Sequence, residues 1–248
     1  MTTKFVTTNS PNEIATPAGY RERLYGSYRS GFKGADADQG TARLNELYGR
    51  FLSRELTNVL ELGAGTGEVV EWLGGHGVAK AWGVDFSAEQ VAQAVARGRA
   101  VREANLFEAL AGCADASLDG IIALDVLEHL TRDQLVLLAD EVARVLVQGG
   151  AMLVQVPNGH AWRVAPVWSG DLTHETLLTD QTLAQLFVPT GMRVEAVWGV
   201  TAGRGKPTRA IRTALWKIIT LWPKLIDTLE AGRPVRVYER VLCAIIRK

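Results

Sequence analysis

The segment Gly63-Ala64-Gly65-Thr66-Gly67 constrains the fold of this chain more than any other feature of its sequence. It follows an apolar run at residues 59–62 and precedes a helical pattern at residues 68–73. A strand that passes through a glycine-rich turn into a helix presents backbone N–H groups and a helix N-terminus to a ligand. The glycines are spaced Gly-x-Gly-x-Gly, which argues against the Gly-x-Gly-x-x-Gly fingerprint of dinucleotide-binding proteins. We therefore expect a nucleotide-like ligand at this turn.

Short apolar runs alternate with segments of helical periodicity after this turn. We predict strands at residues 59–62, 81–84, 120–124, 151–156, 191–198 and 237–246, and helices at residues 68–73, 88–97, 135–146 and 179–187. This alternation is typical of βαβ units and a parallel sheet, and the last two strands are predicted to form an antiparallel hairpin. Ser87 is predicted to cap the second helix, and Thr179 or Asp180 the fourth. Gly149-Gly150 is predicted to end the third.

Composition constrains the expected partners and the cellular compartment of the protein. Lys plus Arg and Asp plus Glu both total 27, so no overall positive field favours nucleic acid, and we expect no nucleic-acid partner. Cys113 and Cys243 have no metal-like spacing and are typical of thiols in a reducing compartment. No stretch reaches the roughly 20 apolar residues of a spanning helix or resembles a signal peptide. We expect a cytoplasmic protein with a flexible arm at residues 1–19 and one domain at residues 20–248.

Two acidic residues accompany the glycine turn. Glu61 lies two positions before Gly63, where its carboxylate can attract a cationic amino group. Asp85 ends the next predicted strand, where a carboxylate can accept hydrogen bonds from both hydroxyls of a ribose. The pair favours a ligand that carries both a ribose and an amino group.

These residues resemble the motifs of class I S-adenosylmethionine (SAM)-dependent methyltransferases. The segment Glu61-Leu62-Gly63-Ala64-Gly65-Thr66-Gly67 is similar to the first motif of that family, and Gly83-Val84-Asp85-Phe86-Ser87 to the second. The resemblance continues through Asp125-Val126-Leu127-Glu128-His129 to Val156-Pro157-Asn158, and covers roughly residues 58–200. It implies a Rossmann-like α/β fold with a seven-stranded sheet whose last strand is antiparallel. N-terminal helices and a helical insertion at about residues 204–233 would complete the domain.

The resemblance also implies which residues bind SAM. The glycine turn would contact the methionine part, through Glu61, Gly63, Ala64, Gly65 and Gly67. Asp85 would hold the ribose, Phe86 would flank the adenine, and Asn105 and Leu106 would lie at the adenine edge. Asn105 replaces the Asp that is usual there but keeps a hydrogen-bond acceptor.

Two further cofactor contacts are expected outside the first two motifs. Asp125 is a cofactor-binding candidate. An N-terminal tyrosine is expected to close over SAM, as in related enzymes: Tyr20, Tyr25 or, as our chosen candidate, Tyr28.

The cluster Asp125-Val126-Leu127-Glu128-His129 follows a predicted strand, at the place where open α/β sheets bind ligands. Methyl transfer requires the protein to align the acceptor and to remove its proton. A histidine with a pKa near neutrality suits an alcohol acceptor. His129, helped by His174, is therefore the candidate general base.

Two alternatives for this cluster stay open. Asp125, Glu128, His129 and His174 could bind a divalent metal, as the resemblance to ubiquinone-pathway and small-RNA O-methyltransferases suggests, although we do not favour a metal. Alternatively, Glu128 and His129 only cap the following helix and hold the loop.

The acceptor is predicted from resemblance alone. The pattern is similar to bacterial methyltransferases of glycan assembly, which implies a hydroxyl of a sugar, a glycan precursor or another polyhydroxylated metabolite. A phenolic or quinone-type acceptor, a SAM-binding protein without catalysis and a nucleotide-binding oxidoreductase are the alternatives.

A late insertion at residues 208–231 is predicted to be an amphipathic helix that Pro223 kinks or divides. Its apolar stripe consists of Ile211, Leu215, Ile218, Trp222, Leu225, Ile226 and Leu229. The stripe could pack on the protein's own core, form a homodimer interface or rest on a membrane surface. Trp216 lies off this stripe.

Overall fold

The computed structural model describes residues 40–52, 55–200 and 208–248. Seven strands form one mixed sheet. In chain order they are β1 (Asn58–Leu62), β2 (Lys80–Asp85), β3 (Val101–Glu103), β4 (Leu118–Leu124), β5 (Leu146–Pro157), β6 (Arg193–Gly199) and β7 (Val241–Arg247). The order across the sheet is β3-β2-β1-β4-β5-β7-β6. Strands β1 to β5 are parallel to one another, and β7 pairs antiparallel with both β5 and β6. The predicted Rossmann-like sheet with an antiparallel end is confirmed.

Nine helices are described along the same residues. They are α1 (Gly40–Tyr48), α2 (Glu68–Gly75), α3 (Ala88–Ala96), α4 (Leu106–Ala111), α5 (Arg132–Val145), α6 (Ala165–Trp168), α7 (Asp180–Phe187), α8 (Thr208–Ile219) and α9 (Leu221–Ala231). The Ser87 hydroxyl caps α3 by accepting from the N–H of Gln90, as predicted. Thr179, the first of the two predicted candidates, caps α7.

The prediction that Gly149-Gly150 ends a helix is wrong. Helix α5 ends at Val145, and both glycines lie inside β5. Gly149 adopts φ +81°, a conformation that L-residues rarely reach, and the pairing of β5 with β4 shifts register between Leu146 and Ala151. The two glycines therefore bend a strand instead of capping a helix.

The core lies on both faces of the sheet because the central strands are apolar throughout. Leu60, Leu62 and Ile121 pack with α5 on one face, whereas Val59 and Ile122 pack with α2 on the other. A strand buried on both faces is apolar at consecutive positions, as the run Gly120–Leu124 predicted. The buried sheet therefore fixes the positions of the strand ends, and these determine where the loops after the strands begin.

One edge of the sheet carries every candidate residue from the sequence motifs that the structure describes. The parallel strands β1, β2, β4 and β5 end there at Leu62, Asp85, Leu124 and Pro157. Strand β6 also ends at this edge and β7 begins there, because Pro157 pairs with Val241 and Gly199 pairs with Leu242. We call it the carboxyl edge. The insertion between β6 and β7 therefore leaves from and returns to the same edge.

The insertion consists of two helices, as the position of Pro223 predicted. Helix α8 ends at Ile219, and Pro223 lies in the first turn of α9, where the missing N–H needs no partner. The apolar stripe is exposed along the described residues, so of the three alternatives for it, packing on the protein's own core is not observed.

Along the described residues, no helix combines the length and apolar character that crossing a membrane requires.

Candidate active site

The glycine turn folds tightly between the ends of β1 and β2. Gly63, Gly65 and Gly67 all have positive φ, between 54° and 79°. A Cβ on Gly63 would come within 2.5 Å of the Val126 side chain, which follows β4. Only glycine therefore fits here, and the turn after β1 touches the loop after β4.

Asp85 connects this turn to β2. Its carboxylate is buried and accepts one hydrogen bond on each oxygen, from the Gly65 N–H at 2.8 Å and from the Ser87 N–H at 2.8 Å. A carboxylate oxygen has two lone pairs, so each oxygen retains the capacity to accept one more hydrogen bond. Glu61 is also buried, one residue before the end of β1.

The residues predicted at the adenine edge differ in character. Phe86 is a half-exposed ring directly after Asp85. Asn105 caps α4 because its side-chain oxygen accepts from the Phe107 N–H. Leu106 packs against the main core. Asn105 thus has a structural role that the sequence did not reveal, since β3 and α4 on either side of it were not predicted.

Asp125 stands at the carboxyl edge with a left-handed backbone, φ +55°, which is uncommon outside glycine. Its N–H donates to the Gln155 carbonyl at 2.9 Å. The Gln155 amide nitrogen lies 3.1 Å and 3.0 Å from the two Asp125 carboxylate oxygens. The backbone and the side chain of one β5 residue thus hold this strained aspartate in place.

Tyr48 extends this contact from α1. Its hydroxyl donates to Gln155 Oε1 at 2.7 Å, which fixes the orientation of the Gln155 amide. Burial raises the pKa of Tyr48, so the hydroxyl stays protonated and remains a donor. Tyr48 and Gln155 were missed as site residues. A polar residue within the apolar run 151–156 was the only available signal for Gln155.

Glu128 and His129 lie in a short 3₁₀ turn, Leu127–His129, just after β4. The Glu128 carbonyl accepts hydrogen bonds from the N–H groups of Glu175 and Thr176, at 2.7 Å and 3.0 Å. The Thr176 hydroxyl donates to the Leu130 carbonyl at 2.8 Å. The loop from Asp171 to Thr176 is therefore held along this turn, and it places His174 beside His129.

The two imidazole rings lie side by side, with 4.8 Å between their centroids. His129 Nδ1 is 3.2 Å from the Thr173 carbonyl, and His174 Nδ1 is 2.8 Å from the Trp168 carbonyl. A carbonyl only accepts, so each Nδ1 carries the hydrogen. Proton acceptance by either neutral ring then falls to Nε2. The Trp168 ring stacks on His174, with centroids 5.0 Å apart.

The pKa values of the two carboxyl groups beside these rings are shifted in opposite directions. Burial acts to raise the pKa of Asp171, but hydrogen bonds from Thr173 and the neighbouring His129 and His174 hold it below its usual value. Burial, together with the Asp125 carboxylate, raises the pKa of Glu128 well above its usual range. The surroundings thus favour the ionised form of Asp171, whereas burial of Glu128 favours its neutral form.

The three side chains Glu128, His129 and His174 also approach each other closely. One ligand-type atom from each lies within 4.8 Å of the others. Buried Glu128 Oε2 has no hydrogen-bond partner along the ranges that the structure describes. This donor set, one carboxylate and two imidazoles, is of a kind that divalent transition metals accept.

Comparison with known proteins identifies the family. The sequence matches the family described as "Methyltransferase domain" over residues 35–197, about two thirds of the chain. The chain belongs to the SAM-dependent methyltransferase family. Its cofactor is SAM. No curated protein sequence matches the chain.

Solved structures share the fold of this methyltransferase at low sequence identity. A SAM-dependent methyltransferase from Archaeoglobus fulgidus is 19% identical, with a TM-score of 0.67, covering 90% of this chain and 99% of that one. One from Mesorhizobium loti is 20% identical, with a TM-score of 0.55, covering 80% and 95%. The cyclopropane synthase MmaA2 from Mycobacterium tuberculosis is 16% identical, with a TM-score of 0.53, covering 84% and 83%. Such likeness establishes the fold alone.

The methyltransferase site suits the chemistry of SAM. The glycine turn has a left-handed backbone at three positions, and the space beside Gly63 is already filled by the Val126 side chain, so the turn is bare backbone with no side chain at Gly63, Gly65 or Gly67. Asp85 retains acceptor capacity on both oxygens, which matches the two hydroxyls of a ribose. The N-terminal tyrosines, Tyr28 included, lie outside the described residues, as does the predicted arm at residues 1–19.

Proposed function

We propose that this methyltransferase transfers the methyl group of SAM to a hydroxyl, with His129 as the general base. The observation that carries the proposal is the fixed position of His129. His129 lies on the turn after β4, and that turn adjoins the glycine turn through Val126. Its Nδ1 is hydrogen-bonded to Thr173. Because the hydrogen bond at Nδ1 holds the imidazole ring, it also fixes the direction of Nε2, the nitrogen that would accept the proton.

The SAM contacts proposed from the sequence motifs have supporting geometry on the carboxyl edge. The backbone of Gly63, Ala64, Gly65 and Gly67 would face the methionine part, with Glu61 beneath it. Asp85 would bind the ribose. Phe86, half-exposed directly after Asp85, would cover the adenine, with Asn105 and Leu106 at its edge. Asp125 follows the neighbouring strand β4, and its clamp to Gln155 supports a positioning role beside the cofactor.

SAM supplies an activated methyl group on sulfur. The residues of the chain would align the acceptor hydroxyl with that methyl group. His129 Nε2 would accept the hydroxyl proton as the oxygen–carbon bond forms and the carbon–sulfur bond breaks. The electron pair of the broken bond stays on sulfur, so S-adenosylhomocysteine is the second product. His174, held by the Trp168 carbonyl, would flank the acceptor and help to orient it.

For the acceptor we propose a sugar, a glycan precursor or another polyhydroxylated metabolite, in a cytoplasmic setting. Trp162 is exposed and Trp168 is half-buried against His174, and such rings stack equally well on sugars and on aromatic acceptors. A phenolic or quinone-type molecule is therefore the alternative acceptor. The alternative to catalysis is a protein that binds SAM without turnover.

A metal-assisted reaction is the second candidate, because Glu128 Oε2 is buried beside His129 and His174. These three residues would hold a divalent ion, which lowers the pKa of a bound hydroxyl. The test of this candidate is direct: metal analysis of the purified protein should find a bound divalent ion, and treatment with a chelator should abolish turnover. Full activity without metal would exclude this candidate.

Two measurements test the main proposal. Calorimetric titration with SAM and with NAD should show binding of SAM alone. A mass-spectrometric acceptor screen with methyl-deuterated SAM should then yield an oxygen-methylated product together with S-adenosylhomocysteine. Methylation on nitrogen or carbon would contradict the hydroxyl assignment, and SAM binding without turnover across sugar and phenolic acceptors would favour the non-catalytic alternative.

A further inference from the structure

Helices α8 and α9 expose an unusual concentration of apolar side chains. Their exposed fractions range from 43% to 78%, for Ile211, Leu215, Ile218, Ile219, Leu221, Trp222, Leu225, Ile226 and Leu229. Single exposed apolar residues are ordinary, whereas a contiguous set on two adjoining helices marks an interaction surface. We call these nine residues the apolar face.

The opposite side of the two helices attaches them to the protein. Trp216 donates from its indole N–H to Glu239 Oε1 at 3.1 Å, which explains why it lies off the apolar stripe. Thr220, at the junction of the helices, is buried. In α9 the Asp227 carboxylate accepts the hydroxyl hydrogen of Tyr238. The inner side is thus held by polar contacts, which turns the apolar face outward.

Positive charge accompanies this face. From residue 204 to residue 224 the sequence contains no Asp or Glu, and its basic residues are Arg204, Lys206, Arg209, Arg212, Lys217 and Lys224. Arg212 and Lys217 are exposed, and at 3.6 residues per turn they fall on either side of the apolar residues of α8. Long basic side chains at the borders of an apolar face can reach the phosphates of a lipid surface while the apolar residues enter it.

We propose that the apolar face of α8 and α9 docks on an anionic lipid surface. Trp222, at the start of α9, is the type of side chain that concentrates at the boundary between lipid and water. Since both helices leave from and return to the carboxyl edge, docking brings that edge to the bilayer. Acceptors with a lipid tail would be favoured there, a consequence that rests on the proposed function, whereas docking itself does not.

The charge pattern favours lipid over a second copy of the chain. A two-fold dimer places the same patch on both sides of its interface. Two copies joined through α8 would bring the exposed Arg212 and Lys217 of each copy towards those of the other, and like charges across an interface oppose association. Phosphate groups of lipid instead offer the opposite charge to these basic side chains.

Vesicle co-sedimentation of the full chain tests the proposal. The protein should bind vesicles that contain phosphatidylglycerol and bind vesicles of phosphatidylcholine alone much more weakly. The double variant Leu215→Glu/Ile218→Glu should lower binding to the anionic vesicles about tenfold or more. Its matched control is Val136→Glu/Leu137→Glu, which adds the same charges at exposed apolar positions of α5 and should bind as the unaltered protein does.

Two further measurements make the result decisive. Arg212→Glu/Lys217→Glu changes only exposed basic residues and should also lose anionic-vesicle binding, while calorimetric SAM affinity should be unchanged in every variant. Failure of the unaltered protein to bind anionic vesicles, equal binding to neutral vesicles, or equal loss in the α5 control would each overturn the proposal. A dimer in sedimentation equilibrium that Leu215→Glu/Ile218→Glu dissociates, without vesicle binding, would assign the face to a second copy.

Discussion

The hydroxyl oxygen of Thr173 lies 2.9 Å from Nδ1 of His129 and 2.6 Å from a carboxylate oxygen of Asp171. An ionised carboxylate only accepts, so the hydroxyl donates to Asp171 and its oxygen accepts from His129 Nδ1–H. The negative charge of Asp171 thereby acts on His129 through one hydroxyl. Thr173 is a positioning residue for the proposed base.

Replacing Thr173 by Val keeps the shape of the side chain but removes this link. We expect turnover to fall roughly 2- to 10-fold, the equivalent of one hydrogen bond of about 0.5–1.5 kcal/mol. The acidic limb of the pH profile should move to lower pH, because the imidazolium loses the stabilising influence of Asp171. Stopped assays across pH, with SAM saturating, would measure both effects.

The control for this prediction is Thr176→Val. Thr176 lies in the same loop, and its hydroxyl donates to the Leu130 carbonyl instead of contacting His129. Its pH profile should match that of the unaltered enzyme. Equal pH profiles for both variants would contradict a role for Thr173 in positioning His129.

His129→Asn should lower turnover about 10²- to 10⁴-fold if His129 removes the acceptor proton. SAM affinity should be nearly unchanged, because the proposed cofactor contacts lie on other residues. His76→Asn is the matched control. His76 Nδ1 also contacts a backbone carbonyl, that of Trp72 at 2.8 Å, but His76 lies at the end of α2 and not in the candidate site. Steady-state kinetics and calorimetry on both variants would check this, and a loss shared by both would contradict the assignment.

The parts of the fold that the sequence predicted depend on local signals. The glycine turn, the apolar strands and the Ser87 and Thr179 caps each use residues within a few positions of one another. Strand β3 has three residues and helix α4 has six, so both are too short for a periodic pattern to reveal them. The sequence predicted a helix end at Gly149 because glycine is common both after helices and at bends within strands, so the residue type alone does not distinguish the two.

The candidate site was predictable only where motifs place residues after strands. Asp85 is the last residue of β2, and Asp125 and His129 follow β4, so topology brings them to one edge. Tyr48, Gln155 and Thr173 were not predicted because their contacts join residues far apart in sequence: 107 positions for Tyr48 and Gln155, and 44 for Thr173 and His129. Such pairs depend on the packed sheet and on loop placement, which no local pattern encodes.

Asp119 gives a prediction for stability at acid pH. Burial acts to raise its pKa, but hydrogen bonds from the Thr57 hydroxyl and the N–H groups of Thr57 and Asn58 hold it below the usual value. A carboxyl with a lowered folded-state pKa stabilises the fold above its unfolded pKa of about 3.9, and this contribution is lost as pH falls through the folded-state pKa.

Asp119→Asn should therefore be less stable than the unaltered protein at pH 7, and the difference should shrink as pH falls below about 4. Denaturant unfolding at several pH values would measure the free energy of unfolding. Asp115→Asn is the control, because Asp115 is an exposed carboxylate whose ion-pair partner is Arg144. A difference between Asp119→Asn and the unaltered protein that stays constant down to pH 3 would contradict the prediction.

Asp85→Asn tests the proposed ribose contact. The substitution replaces one carboxylate oxygen by an NH₂ group, which cannot accept a hydrogen bond from the Gly65 or Ser87 N–H or from a ribose hydroxyl. Loss of one charge-assisted hydrogen bond should weaken SAM binding by about 1–3 kcal/mol, roughly 5- to 150-fold. S-adenosylhomocysteine should lose affinity by the same factor, because the two molecules share the ribose. Calorimetry with both ligands would measure this, against Glu103→Gln at the exposed end of β3 as control. Equal affinity in both variants would remove Asp85 from the ribose site.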